Sequence, residues 1–289
     1  MDQFPLFERE TRTPSAPPPP KSCDCHVHIF GDPARYPTVQ SRTYDPPPAT
    51  VEDVGEMHRA LGIERGVIVQ ATVYGTDHRL LLDGLNGREN FRGVAIVDDS
   101  VSDKELNRLH EAGVRGARFN LAGFLGIAPT RAVFERSIAR IEELGWHAKI
   151  HGSGDELVDR ADWLRALRLP AVIDHLAGPD LRRGLDQPGC RLALDLLKQD
   201  NWWIMLSNGD RRSAGGHPWD DVIAFAQAYV AAAPDRTLWA TDWPHVHYAK
   251  KSVPNDAELL ELLYRYVPDP ASRYKVLVDN PARLYGFDG

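Results

Sequence analysis

The chain has 289 residues, 43% of them hydrophobic and 26% charged, with a formal net charge of -7 at pH 7. That length suits one large domain with a sizeable core, and an acidic balance without any basic stretch argues against a nucleic-acid partner. The three cysteines are too few for a disulfide framework, no apolar run is long enough to span a membrane, and the N-terminus lacks the apolar region of a secretory signal, so the expected compartment is the cytoplasm.

Residues 1–21 hold Thr13-Pro14-Ser15-Ala16 and then Pro17 to Pro20. This composition reads as a Pro-rich arm outside the core, a flexible tail or a segment lying against a neighbouring subunit in a homo-oligomer. From residue 22 to 289 no break in composition marks a second domain. Cys23 to Phe30 reads as an apolar strand. Alternation puts His26 and His28 on one face and Cys25, Val27 and Ile29 on the other. A long loop follows from Gly31 to Ala49, stiffened by prolines and carrying Tyr36 and Tyr44. Loops of this length inside compact domains are usually functional; the two rings either close over a ligand or pack the loop down.

Beyond Thr50 the pattern is regular. A capping start at Thr50 opens a helix that Gly62 stops. Strands are expected at 66–70, 93–97, 114–119, 146–151, 171–175, 202–207 and 237–242, with helices near 78–85, 102–110, 130–145, 156–167, 191–198, 219–231, 256–266 and 273–284. Short β-branched strands alternating with helices argue for a parallel sheet, and eight alternations argue for its closure into a (β/α)8 TIM barrel.

In such barrels the active site lies at the C-terminal ends of the strands. The chain places His26 and His28 at the first of these ends, His151 at the fifth, His175 at the sixth and Asp242 at the eighth. Four imidazoles and a carboxylate are also a donor set that Zn²⁺ accepts in a catalytic site. Lys149 shares a face with His151 and so enters the barrel, unless a bulge changes the phase. Inside, it would need an acid such as Asp24 or Asp174.

The segments Cys25-His26-Val27-His28-Ile29-Phe30-Gly31 and Ala240-Thr241-Asp242-Trp243-Pro244-His245 resemble the amidohydrolase superfamily, and within it the lactonase branch. Val114-Arg115-Gly116-Ala117-Arg118-Phe119-Asn120, Val172-Ile173-Asp174-His175 and Asp279 to Phe287 fit the same branch, so the likeness covers most of the chain from Ser22. The resemblance implies a hydrolase that opens a carboxylated lactone, of the 2-pyrone-4,6-dicarboxylate, muconolactone or sugar-acid kind. It implies that Asp242 takes a proton from the attacking water and returns it to the leaving oxygen. His26, His28 and His175 would polarise the carbonyl, directly or through a metal. Arg118 and Arg211 would grip substrate carboxylates with their planar forks, although Arg212 could serve as well as Arg211. Asn120, Tyr44 and His151 complete the expected substrate contacts. In the resemblance, metal-dependent relatives carry a histidine where this chain has His151, and the pyrone lactonase, which works without a metal, does not. The expected cofactor is therefore one divalent ion, Zn²⁺ before others, held by His26, His28, His151, His175 and Asp242, with metal-free catalysis as the other case. Two alternatives share these ligands: a metal-dependent decarboxylase of an aromatic or muconate-type acid, and a lactone isomerase. The partner in each is a small acid, not a nucleic acid or a membrane.

Overall fold

The structure is a computed structural model that describes residues 7–126, 128–250 and 252–288. Among these residues eight strands form one sheet in chain order: β1 (Cys23–Val27), β2 (Arg65–Val69), β3 (Phe91–Ile96), β4 (Val114–Asn120), β5 (His147–His151), β6 (Ala171–Ile173), β7 (Trp202–Leu206) and β8 (Thr237–Trp239). Every adjacent pair is parallel. The first and last strands meet through a parallel bridge between Val27 and Trp243, so the sheet closes as a barrel. Several of the helices between strands begin where short polar side chains satisfy free amides. Thr50 and Asp53 form a capping box ahead of helix Val51–Leu61, and Gly62 ends it at φ 78°, a conformation that glycine adopts without strain. Ser102 and Thr130 cap the helices Asp103–Glu111 and Arg131–Glu143.

The apolar residues separate into two clusters. An outer cluster fills the space between strands and helices, with Ile68, Ala117, Ile150, Ile173 and Ile204 among its buried members. An inner cluster lies within the barrel and holds Val67, Val69, Val94, Val172 and Met205, closed below by Tyr285 and Phe287. The two sets alternate along the strands after the first, as the pleat requires.

Three expectations change. The first strand does not alternate throughout. Its register against β2 shifts between Asp24 and Val27, and Cys25 joins the inner cluster while Val27 and Ile29 join the outer one. The sixth and eighth strands are three residues each, because the chain turns left-handed soon after them, at His175 (φ 48°) and Asp242 (φ 63°). The helix expected at 156–167 is two short ones, Gly154–Val158 and Ala161–Ala166.

Residues 7–21 do not extend from the barrel. Pro14 and Pro18 are buried, Arg12 N donates to Asn255 Oδ1 at 3.0 Å, and Ser15 N donates to Glu261 Oε1 at 2.7 Å. The arm thus lies on its own chain, across helix Asp256–Tyr266, in place of a free tail. The part of the arm before Phe7 lies outside the described residues.

The seam between β1 and β8 is held by Asp24. Its buried carboxylate accepts from Thr241 N at 3.1 Å and Thr241 Oγ1 at 2.5 Å, and from His26 N at 3.2 Å. His58 Nε2 on helix Val51–Leu61 lies 3.4 Å away. A charged acceptor with several buried donors is costly to remove, since each donor is left unpaired. Asp24→Asn is expected to lower unfolding stability by about 2–4 kcal/mol with an unchanged urea m-value. A loss of under about 0.5 kcal/mol, the usual surface effect, would refute this role for the seam.

Candidate active site

The C-terminal mouth of the barrel collects the predicted side chains. His26 and His28 come from the end of β1, His151 from the last residue of β5, His175 from the turn after β6 and Asp242 from the turn after β8. The Nε2 atoms of His26 and His28 are 3.2 Å apart. Asp242 Oδ1 lies 3.6 Å from His26 Nε2, 3.7 Å from His28 Nε2 and 3.9 Å from His175 Nε2. The His151 ring stands edge-on to His175, with 5.1 Å between centroids.

The opposite nitrogens of these rings are occupied. His28 Nδ1 donates to the carbonyl of Val69 at 2.7 Å, His151 Nδ1 to Asn120 Oδ1 at 3.0 Å, and His26 Nδ1 to Asp174 Oδ1 at 3.2 Å. His175 Nδ1 pairs with Ser207 Oγ at 2.8 Å. A carbonyl only accepts, so the proton of His28 sits on Nδ1 and its Nε2 carries a lone pair. The carboxylate of Asp174 fixes His26 in the same tautomer. Two lone pairs then face one another across 3.2 Å, an arrangement that is favourable only around a shared cation. Donors bound to one Zn²⁺ at about 2.0–2.1 Å in tetrahedral geometry stand roughly 3.3 Å apart. Outer hydrogen bonds that orient the rings are also what metal sites use. His26, His28 and Asp242 form one group able to hold an ion, and His26, Asp174 and His175 a second that shares His26. The residues present fit a single divalent ion.

Electrostatics point the same way. Burial, then Arg118, lowers the pKa of His28 and of His151 to about 3. Burial, then Lys149, holds His26 well below its ordinary value, and burial holds His175 there too. All four rings are therefore neutral, as ligands must be. Burial raises the Asp242 pKa, only partly offset by Arg211 and Arg118, which makes its carboxylate a stronger base. Burial would also raise the pKa of Asp174, but the cations beside it, Lys149 and Arg118, help hold it below the carboxylate range.

Lys149 keeps its phase: the register of β5 against β4 and β6 is unbroken. It points into the barrel, fully buried, with Nζ 3.3 Å from Asp174 Oδ1. Asp174 is thus its acid, and Asp24 serves the seam. Arg118 Nη2 lies 3.6 Å from Asp174 Oδ2, and its Nε has no hydrogen-bond partner among the described residues.

Above this floor opens a cavity of about 310 Å³, with Tyr44, Thr72, Arg118, Phe124, Asn208 and Arg212 in its wall. Tyr44 from the long first loop is buried beside the His247 ring, with centroids 6.1 Å apart, and burial keeps its hydroxyl protonated by raising its pKa. Asn120 acts one layer back, behind His151. Arg211 is engaged within the chain: Nη2 is 3.3 Å from Asp242 Oδ2 and Nη1 donates to the Val246 carbonyl at 3.0 Å. Arg212 also reaches the cavity, and its Nε lacks a partner among the described residues. The sequence reading missed Phe124, Asn208 and the whole wall from Val246 to Lys250. The latter belongs to the stretch between β8 and helix Asp256–Tyr266, whose length was itself a signal of function.

A closed parallel barrel whose mouth gathers a His-x-His pair, two more imidazoles and an aspartate defines a class of hydrolytic barrels. The chain matches the amidohydrolase family over residues 23–287 and belongs to it. It is 39% identical over 273 residues to a 4-sulfomuconolactone hydrolase of Rhizobium radiobacter, covering 93% of this chain and 91% of the relative. It is 36% identical over 277 residues to a 2-pyrone-4,6-dicarboxylate hydrolase of Comamonas testosteroni, covering 92% and 90%. Among solved structures, one of an Agrobacterium tumefaciens protein superposes with a TM-score of 0.83 at 28% identity, covering 95% of this chain and 99% of the other.

Proposed function

We propose that this protein hydrolyses a small lactone that carries carboxylate or similarly charged groups. The observation that carries the proposal is a raised-pKa carboxylate, Asp242, set against three imidazole Nε2 atoms at 3.6–3.9 Å on the floor of an arginine-walled cavity. Two relatives that span most of the chain are by name hydrolases of 4-sulfomuconolactone and of 2-pyrone-4,6-dicarboxylate, and a third, 30% identical, is by name a D-galactarolactone isomerase.

In this mechanism Asp242 takes a proton from a water molecule as the water oxygen bonds to the lactone carbonyl carbon. When the ring C–O bond breaks, Asp242 returns the proton to the leaving ring oxygen, and the product is an open-chain hydroxy acid. His26, His28, His175 and Asp242 would hold one divalent ion, for which Zn²⁺ suits the donor set, and a bound ion supplies Lewis-acid polarisation at the carbonyl. His151, kept in one tautomer by Asn120, turns its Nε2 toward the cavity. Arg211 lies against Asp242 and keeps the base ionised when the site is free of substrate. Arg118 grips a substrate carboxylate, Arg211 and Arg212 lie beside a second, and the Tyr44 hydroxyl is a further donor. Their positive charge offsets an acidic surface that would otherwise repel an anionic substrate.

The test is a panel of lactones followed with a pH indicator, with CO₂ release measured in parallel. Acid release without CO₂ is expected, and CO₂ release would replace hydrolysis with decarboxylation. Asp242→Asn is expected to fold normally and to lose kcat by about 10³-fold or more, since an amide cannot accept the proton. Near wild-type kcat in that variant would end the assignment of Asp242 as base.

Arg118→Met is expected to lower kcat/KM for a carboxylated lactone by roughly 2–5 kcal/mol and to change it much less for a neutral lactone of similar size. Equal losses on the two would place Arg118 in the fold or the chemistry and not in substrate recognition. Dialysis against zinc followed by elemental analysis is expected to find about one ion per chain and almost none in His28→Ala. Equal zinc content in the two proteins would show that this cluster is not the site.

A further inference from the structure

The N-terminal arm reaches the turn that carries Asp242, and it does so by two separate routes. In the first, Phe7 is buried and its ring meets Trp243 edge-on, with centroids 4.6 Å apart and planes at 65°. Trp243 follows Asp242 directly. Its carbonyl accepts from His28 N at 2.8 Å and its own N donates to Thr241 Oγ1 at 3.1 Å. The residue whose indole Phe7 covers is therefore tied through its backbone to both parts of the site, the histidine strand and the aspartate turn.

In the second route, Asn255 is the anchor. Its Oδ1 accepts from Arg12 N at 3.0 Å, and its Nδ2 donates to Glu8 Oε2 at 2.8 Å and to the Glu10 carbonyl at 3.0 Å. Asn255 also caps helix Asp256–Tyr266. The next residue, Asp256, is buried and lies 2.9 Å from His245 Nε2, and His245 N donates to the Asp242 carbonyl at 3.0 Å. Farther along, Ser15 N on Glu261 and Tyr264 Oη on the Ala16 carbonyl keep the arm on the helix.

The turn has reason to need such support. Asp242 at φ 63° and His245 at φ 60° lie in the left-handed region, which non-glycine residues hold only where the surroundings over-determine them. We infer that residues 7–16 are a positioning segment for catalysis: packed from outside the barrel, they hold the Asp242 carboxylate in register with His26 and His28. Phe7 and Asn255 act through Trp243 and His245, and neither touches substrate. The inference rests on Asp242 as the base of the proposed hydrolysis, but its central claim concerns the turn and can be read without substrate.

The experiment compares Phe7→Ala, Phe7→Tyr and Tyr264→Phe in the full chain. Two readouts are used: turnover of 2-pyrone-4,6-dicarboxylate or 4-sulfomuconolactone, and backbone hydrogen exchange across residues 241–247. A displacement of about 1 Å at a reacting group lowers rate by roughly 10²-fold, so a smaller shift in Phe7→Ala is expected to lower kcat about tenfold. KM is expected to stay within about twofold, and exchange in the turn to quicken. Phe7→Tyr keeps the ring and is expected to restore both readouts. Tyr264→Phe loosens only the far end of the arm and is expected to leave kcat unchanged. Unchanged exchange in Phe7→Ala overturns the inference, as does faster exchange with unchanged kcat. A loss of kcat that Phe7→Tyr does not restore, or that Tyr264→Phe matches, reduces the arm to general packing and also overturns it. If neither lactone turns over in the wild-type protein, the proposed reaction fails, while exchange still decides whether the arm holds the turn.

Discussion

The site depends on one buried carboxylate that takes no part in chemistry. Asp24 accepts from the backbone of His26 on one side and from the backbone and hydroxyl of Thr241 on the other. A carboxylate inside a protein must be matched by donors or it destabilises the fold by several kcal/mol. The donors that match Asp24 are the residue that begins the His-x-His pair and the residue just before Asp242. Satisfying one buried charge therefore brings the two halves of the catalytic group together, although they lie at opposite ends of the chain. The bulge in β1 is part of the same arrangement. It lets Asp24 turn toward Thr241 and His58 while His26 and His28 both turn into the mouth.

A second buried carboxylate, Asp174, organises the layer beneath. It receives His26, Lys149 and Arg118, so two buried cations stand against this one carboxylate even though the chain as a whole is acidic. Burial first, with the nearby cations adding to it, holds each of the four rings neutral. In His26, His28 and His151 the ring proton is spent on an acceptor behind the site, so these neutral rings offer lone pairs to a cation and no protons to a substrate. Donors to an anionic substrate must then come from the walls, where Arg118, Arg212 and Tyr44 stand.

Much of this was legible in the sequence, and the parts that were not have identifiable reasons. Thr50, Ser102 and Thr130 marked helix starts because capping depends on a side chain that the sequence displays. The alternation of strands and helices gave the barrel, and His151, His175 and Asp242 were found because they follow apolar runs. The bulge was hidden because nothing in Cys23-Asp24-Cys25-His26 says which residue is the extra one. Whether Lys149 would find Asp24 or Asp174 depended on that bulge. The docking of the arm was hidden for a different reason: most of its hydrogen bonds use backbone groups, the amides of Arg12 and Ser15 and the carbonyls of Glu10 and Ala16, and these leave no trace in residue identity. Proline content suggested a free tail, whereas Pro14 and Pro18 are buried. Arg211 and Arg212 are neighbours on one short helix, and only three-dimensional packing decides that the first is held by Asp242 and the Val246 carbonyl.

The seam also sets an order on how the protein comes into being. During synthesis β1 emerges first, and Thr241 follows 217 residues after Asp24. Until then the histidine pair exists without its base, and Asp24 lacks most of its donors. The turn after β8 both shuts the barrel and delivers Asp242, so closure of the sheet and arrival of the carboxylate coincide. A chain cut before that turn keeps its histidines but lacks both Asp242 and the Thr241 donors that match the Asp24 charge. Such a chain is well suited to recognition and removal by cellular proteases.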